Sequence, residues 1–326
     1  MNIVKQVISK YKNLIDESNQ LKKNLQYRVR FYNCWKQSND DMYWNRYIKH
    51  HRWLDGNNLN VAIFSVFGRR KFIEKVDADV KIFFTGENLK KDRHAMFADH
   101  CLCMNDIDLA IGFELFDNPR YVRFPLWMDY MFEPESSVED IKQKCKEIRF
   151  PDISEKYKFT SFVASAEWDG LRKEMVENIS QISKVDCGGR YLHNDDTLLT
   201  ECEDNKMKYI KRYFFNICPE NDNAYGGVTE KIFEAISSGC IPIYWGSYNN
   251  PEPNVINSDA VIFWDRDNRG ESAVKQISEL YNSPKLLTEF ISQPRLLDTA
   301  EEYILDTFSD LEKKFSETFS RKLNNI

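Results

Sequence analysis

Phe214-Phe215-Asn216-Ile217-Cys218-Pro219-Glu220-Asn221, then Asp222-Asn223-Ala224-Tyr225-Gly226-Gly227, then Val228-Thr229-Glu230-Lys231-Ile232-Phe233 reads as a strand, a polar loop and a helix start. Thr229 suits a helix N-cap, Ile232, Phe233 and Ile236 give the helix one apolar face, and Gly239 ends it. Cys240 to Trp245 follows as the next strand. Such a strand-helix-strand unit belongs to a parallel sheet and places a helix amino terminus at the sheet's carboxyl edge, where free N–H groups and the helix dipole favour an anion such as a diphosphate. Lys231 in the first helical turn opposes that dipole, a small local cost that points to an anionic partner; Glu230 beside it complements the dipole in the ordinary way. Asn221 and Tyr225 fit loop capping equally well, so spacing alone supports a phosphate or nucleotide-sugar site only weakly.

Outward from this unit, strand-length apolar runs recur. Val29 to Asn33, Val61 to Val66, Val80 to Phe84 and Ile107 to Phe113 come first; Phe159 to Ala164, Phe214 to Cys218, Cys240 to Trp245 and Val261 to Phe263 follow. Polar or helical segments separate them, including Gly170 to Ile182 and Thr229 to Ser238, which predicts parallel sheets covered on both faces. The polar stretch from Glu133 to Ser137, a charged helix at Val138 to Ile148 and Pro151 mark a boundary near residue 155. The expected organisation is therefore an amphipathic helix in 1–26, an open-sheet domain in 27–155 and a second in 156–326 with a terminal helix at 298–322. Ligands of such sheets bind at their carboxyl ends, so a cleft faced by both sheets is the expected site.

The chain has 326 residues, 42% hydrophobic and 29% charged, with 12 Gly and 10 Pro, which excludes disordered, collagenous and low-complexity classes. A net charge of −6 argues against a nucleic-acid partner, so an anionic ligand must be held by local cations. No apolar run reaches the roughly 18 to 20 residues of a spanning helix, and the first residues lack a secretory signal's apolar core, so a cytoplasmic protein is expected. Val4, Val7, Ile8, Tyr11, Leu14 and Ile15 form a helical stripe expected to pack on the body; homodimer formation and peripheral attachment to an anionic membrane are the alternatives. The eight cysteines show no zinc-ligand spacing and read as reduced, mostly buried thiols.

The run Phe-Asn-x-Cys-x-Glu-Asn, the run Val-Thr-Glu-Lys-Ile and Ile241-Pro242-Ile243-Tyr244-Trp245-Gly246 together resemble the donor-site signature of the bacterial α1,3/α1,4-fucosyltransferases. Phe84 to Asn88, Ala110 to Glu114, Arg120 to Leu126, Phe162 to Ser165 and Gly188-Gly189 resemble the same family in the same order, over about residues 27 to 265. The resemblance implies an α/β fold of the GT-B type, two Rossmann-like domains, with GDP-β-L-fucose as donor and inverting transfer to a GlcNAc-containing acceptor. It implies Glu114 as general base, with Asp117 as fallback, and Glu230 as the carboxylate near the donor sugar. Arg172 and Lys231 fall on the diphosphate, with Asn221, Tyr225, Thr229, Gly188 and Gly189 as further donor contacts and Glu87 and Trp127 weakly on the acceptor side. Where most members carry an aromatic residue before Val-Thr-Glu-Lys, this chain has Gly227.

Asp77-Ala78-Asp79 and Asp106-Ile107-Asp108 match the Asp-x-Asp pattern of metal-dependent transferases but stand at strand starts, the wrong edge of a sheet for a ligand. No metal ligand is expected and no cofactor required, with Mn2+ or Mg2+ as an optional stimulant through the diphosphate. His50-His51 do not share a face and are read as surface residues. Among the aromatics, Trp127 and Trp168 are the candidates for stacking on a sugar face.

Overall fold

A computed structural model of the chain describes residues 12, 15–24, 27–34, 42–51, 54, 58–90 and 105–324. Within them the chain divides into two compact units: Met1–Asp129 with Glu133–Glu135 and Thr307–Ile326, and Tyr130–Phe132 with Ser136–Asp306. Each is built on one five-stranded sheet, and every strand pairing is parallel.

The first sheet runs β1 (Val29–Tyr32), β2 (Val61–Phe64), β3 (Val80–Phe84), β4 (Leu109–Gly112) and β5 (Tyr121–Arg123), in chain order. Alternation sends Ala62, Phe64 and Phe83 to one face, under Phe72 and Ile73 of α2 (Phe72–Lys75). Phe84 goes to the other, where its ring lies 5.0 Å from Trp44 of α1 (Tyr43–His50). The two faces are thus both apolar, as the near-continuous hydrophobic runs predict.

The second sheet comprises β6 (Lys158–Phe162), β7 (Val185–Cys187), β8 (Tyr213–Ile217), β9 (Ile241–Tyr244) and β10 (Ile262–Phe263), in the order β10-β9-β8-β6-β7. The helices of this unit include α3 (Leu126–Met131, divided between the units), α4 (Val138–Arg149), α5 (Leu171–Ile179), α6 (Thr197–Thr200), α7 (Lys206–Ile210), α8 (Glu230–Ser237), α9 (Glu271–Tyr281) and α10 (Pro284–Ile291). Buried Ile232, Phe233, Ala235 and Ile236 lay the inner face of α8 on its unit's core, and Gly239, at φ +75°, turns the chain where a Cβ would come 2.7 Å from the Asp152 carbonyl.

The observed division departs from a single boundary near 155 at two places. Helix α4 buries Ile141, Cys145 and Ile148 and packs on α8, so it joins the second unit. The long α11 (Ala300–Leu323) is shared: from Thr307 onward it belongs to the first unit, where Phe315 stacks on Trp44 at 5.9 Å and Lys314 Nζ donates to the Pro119 carbonyl at 3.1 Å. A charged helix shows its polar face in sequence but not which sheet its apolar face will meet.

The predicted stripe over Val4 to Leu14 lies outside the described residues. Over 15–24 the chain is helical, with Ile15 exposed; Leu21 packs on the first unit's core, Glu17 is buried against Arg69 (2.5 Å) and Lys75 (3.4 Å), and Gln20 Oε1 accepts from the Asn33 amide at 3.1 Å. Among the described cysteines 145, 187, 202, 218 and 240 are buried thiols and Cys34 is half-buried. No helix of the described residues is long and apolar enough to cross a membrane.

Candidate functional site

Chain order makes the second sheet's switch point. From β6 the chain moves outward to β7, then returns to β8 on β6's other side, so the connections leaving the paired carboxyl ends of β6 and β8 run in opposite directions and leave a crevice. A cavity of about 960 Å³ occupies this place, a volume suited to a nucleotide-sized ligand. Phe162 to Ala166 line it from the end of β6, Gly188 to Arg190 and His193 from the loop after β7, and Asn216 to Pro219 with Asn221 from the end of β8. Glu230 and Lys231 enter from the start of α8. Its charged lining is Arg172, Arg190, Lys206 and Lys231 against Asp204 and Glu230, with His193, which selects for an anion.

Arg172, in the first turn of α5, is buried at 7% exposure. One guanidinium nitrogen donates to the Ala166 carbonyl and the other to Asn221 Oδ1 (2.6 Å), joining the loops on the two sides of the switch point. Lys231 Nζ donates to Glu220 Oε2 (3.1 Å) and Thr229 Oγ1 (2.7 Å), and Glu230 Oε1 lies 3.7 Å away. Burial alone would lower the Lys231 pKa, but the Glu220 and Glu230 carboxylates outweigh it and hold the ammonium above its ordinary value.

Thr229 is the N-cap residue by position, yet its side chain does not cap the helix: Oγ1 donates to Glu220 Oε2 at 2.7 Å instead. The expected cap is therefore not made, because a buried carboxylate competes for the hydroxyl.

The loop after β7 is fixed from both ends. Gly188 N donates to the Phe162 carbonyl and Tyr191 N to the Ala164 carbonyl, while Asn194 makes three hydrogen bonds along β7. Asp195 Oδ2 accepts from Thr197 Oγ1 and Tyr209 OH, both at 2.7 Å. His193 bridges Asp196 Oδ1 (2.8 Å) and the Gly189 carbonyl (3.0 Å); the first, then the second, raises its pKa.

The comparisons with known proteins agree with this construction. The description "Alpha-(1,3)-fucosyltransferase FucT N-terminal domain" matches residues 29–130, and "Glycosyltransferase family 10 (fucosyltransferase) C-term" matches residues 153–301. The chain belongs to the family 10 fucosyltransferases. A curated relative, Alpha-(1,3)-fucosyltransferase FucT of Helicobacter pylori, is 32% identical over 193 residues, 51% of this chain and 37% of the relative, so the match spans about a third of that protein. A crystal structure of an alpha1,3-fucosyltransferase superposes with a TM-score of 0.60 at 22% identity, covering 88% of this chain and 89% of that one. The structure of an alpha1,3-fucosyltransferase with GDP-fucose gives 0.56 at 22% identity, over 86% and 89%. These likenesses establish the GT-B fold class, two Rossmann-like α/β units.

In this fucosyltransferase-family chain, Arg172, Asn221, Glu230, Lys231, Gly188 and Gly189 gather on one cavity. Thr229 is turned to Glu220, and Tyr225, 51% exposed, stands outside the lining residues. Gly227 sits in a turn, its amide donating to the Ala224 carbonyl at 2.9 Å. The motif alone assigns Glu220 no role; its burial at 4% exposure among four donors is a signal that only the fold reveals.

The first unit holds the remaining candidates at the carboxyl edge of its own sheet. Glu114 follows β4, its backbone carbonyl accepting from Tyr121 OH at 2.8 Å while Arg123 Nε donates to the Phe113 carbonyl at 3.0 Å. Its side chain is 31% exposed, 4.0 Å from Lys90 Nζ. Glu87, half-buried after β3, donates its amide to Thr85 Oγ1 at 3.0 Å, and Asp117 is exposed. Trp127, expected weakly at the acceptor, is 0% exposed within α3 and offers no face to a sugar, whereas Trp168 is 63% exposed and lines the second unit's cavity. Three of the four Asp-x-Asp carboxylates are engaged at strand starts: Asp79 accepts from the Asn60 amide, Asp106 pairs with Arg70, and Asp108 accepts from the Lys81 amide. His50 and His51 close α1.

Proposed function

We propose that the protein moves L-fucose from GDP-β-L-fucose to the 3-hydroxyl of GlcNAc in a lactosamine-type acceptor with inversion, the 4-hydroxyl being the alternative position. The acceptor oxygen forms a bond to the anomeric carbon as the bond from that carbon to the diphosphate oxygen breaks. The electron pair leaves with GDP, and the acceptor's proton passes to a carboxylate. Negative charge thus grows on the diphosphate and positive charge on the sugar, so fixed cations and a nearby carboxylate are what the reaction needs.

In this reading Lys231 and the Arg172 fork take the diphosphate charge, Glu230 steadies the oxocarbenium-like sugar, and Glu114 accepts the proton. The observation that carries it is the cation-lined cavity at the second sheet's switch point, built from the segment the family shares. Glu114 is chosen for its place at the end of β4, with its backbone latched by β5. The reading calls for no protein-held metal, since both Asp-x-Asp pairs stand at strand starts with Asp79, Asp106 and Asp108 engaged there, and EDTA is expected to reduce turnover at most partly.

Incubation with GDP-fucose and N-acetyllactosamine is expected to release GDP and add one deoxyhexose, with linkage analysis assigning O3 or O4. No turnover on a panel of GlcNAc-terminated glycans would overturn the reading. Gly227, in place of the aromatic residue, favours as second reading a transferase for a different nucleotide sugar. Thermal shifts with GDP, UDP and ADP separate the two, because a ligand binding only the folded state raises its melting temperature.

A further inference from the structure

Glu220 is a carboxylate with no opening to the cavity: its side chain is 2% exposed and it is not among the lining residues. A buried carboxylate is costly unless it is paired and hydrogen-bonded, and this one is both. Oε1 accepts from the Thr229 amide (2.8 Å), and Oε2 from Thr229 Oγ1 (2.7 Å) and Lys231 Nζ (3.1 Å). Tyr244 OH lies 3.5 Å from Oε1, and the Glu220 amide donates to the Trp245 carbonyl at 2.8 Å. Gly246, next along the chain, closes the other side so tightly that a Cβ there would stand 2.6 Å from Glu220 Cγ.

We propose that Glu220 is the positioning residue of the anion site: it fixes the start of α8 through Thr229 and sets both the place and the effective charge of Lys231. The inference rests on the reading that Lys231 meets the donor's diphosphate. A lysine stem has four rotatable bonds, and holding Nζ on Glu220 and Thr229 removes most of that freedom before the ligand arrives. The same carboxylate offsets part of the ammonium charge, which moderates the grip on the product and lets GDP leave. Glu220 touches neither sugar nor phosphate and acts through Lys231.

The two duties predict effects of opposite sign. Glu220→Gln keeps an oxygen for Thr229 but removes the charge, so GDP is expected to bind on the order of tenfold more tightly, with KM and kcat falling together as product release slows. Glu220→Ala removes the anchor too and is expected to weaken GDP binding. A purely structural role predicts weaker binding in both. Calorimetry should be run on Lys231→Ala as well, where the Glu220→Gln effect is expected to vanish. Weaker GDP binding by Glu220→Gln, or an undiminished effect without Lys231, overturns the proposal.

Should the Glu220 variants fail to fold, Gly246→Ala shifts the carboxylate without removing its charge. It is expected to weaken GDP binding when Lys231 is present and not in Lys231→Ala; equal loss in both backgrounds refutes the proposal. The nucleotide used is whichever of GDP, UDP and ADP raises the wild-type melting temperature most. A preference for UDP or ADP therefore overturns the fucosyl reading alone, while additivity in the cycle overturns this one alone.

Discussion

Gly189→Ala tests whether the cavity is made by close backbone approach. A Cβ at 189 would stand 2.3 Å from the Ala164 carbonyl oxygen, 2.5 Å from its amide nitrogen and 2.9 Å from its carbonyl carbon. Optimal contacts lie near 3.5 Å, so the two segments must separate by about 1 Å. Neither side yields easily. The Ala164 carbonyl is held by the Tyr191 amide at 3.0 Å, and Asn194 ties the far end of the loop to β7 by bonds of 2.8 to 3.1 Å. Overpacking of this kind costs about 1 to 3 kcal/mol, which at this chain length lowers the melting temperature by several degrees. Because both segments line the cavity, a displacement of about 1 Å is also expected to lower kcat/KM with the nucleotide sugar by about a hundredfold. Thermal unfolding and titration calorimetry with GDP read the two effects. A variant with the wild-type melting temperature and GDP affinity would refute the argument that backbone proximity at Gly189 shapes the site.

Glu114→Gln is expected to lose turnover while keeping GDP affinity, whereas Lys231→Ala loses GDP affinity by about tenfold or more; equal loss of affinity in both would sink the division of roles. Burial would raise the Asp195 carboxyl, but the Thr197 and Tyr209 hydroxyls and the charge of Lys158 pull it down to about 2 against an ordinary 3.8. Its folded pKa being depressed, Asp195 contributes about 2 kcal/mol above pH 4, lost as pH falls from about 3.8 to about 2. Urea unfolding of Asp195→Asn should therefore show a stability deficit at pH 7 that closes toward pH 2, and a constant deficit would refute it. Trp168→Ala is expected to lower ligand affinity without changing the melting temperature, while Trp127→Ala costs about 3 to 5 kcal/mol of stability; the reverse pattern would show the burial argument misapplied.

Long apolar runs made the architecture legible. The strands at 29–32, 61–64, 80–84, 109–112, 158–162, 213–217, 241–244 and 262–263 fall where β-branched and aromatic residues cluster. The edge strands β5 and β7 escaped because neither is a continuous apolar run, Arg123 ending the one and Asp186 interrupting the other, and each is held by pairing with a single longer neighbour. Strand order is likewise silent in sequence: the switch between β6 and β8 depends on which side of β6 the chain returns to, and that choice lies in packing.

The site divides along the same line. Glycines at 188 and 189 and the Glu230-Lys231 pair could be placed by motif, since backbone approach and a helix amino terminus are local needs. What a side chain touches ten residues away is not local. Thr229 reads as a cap because Ser, Thr and Asp usually bond the helix that follows, but that preference assumes no stronger acceptor nearby. Glu220, nine positions earlier, becomes that acceptor once β8 turns into its loop and Gly246 presses against it from the end of β9. Trp127 and Trp168 make the same point for aromatics: both were candidates for stacking on a sugar, and α3 packing enclosed one while the loop before α5 left the other open. Local chemistry thus named the groups proposed to meet an anion, whereas the carboxylate that holds Thr229 and Lys231 came from tertiary contact.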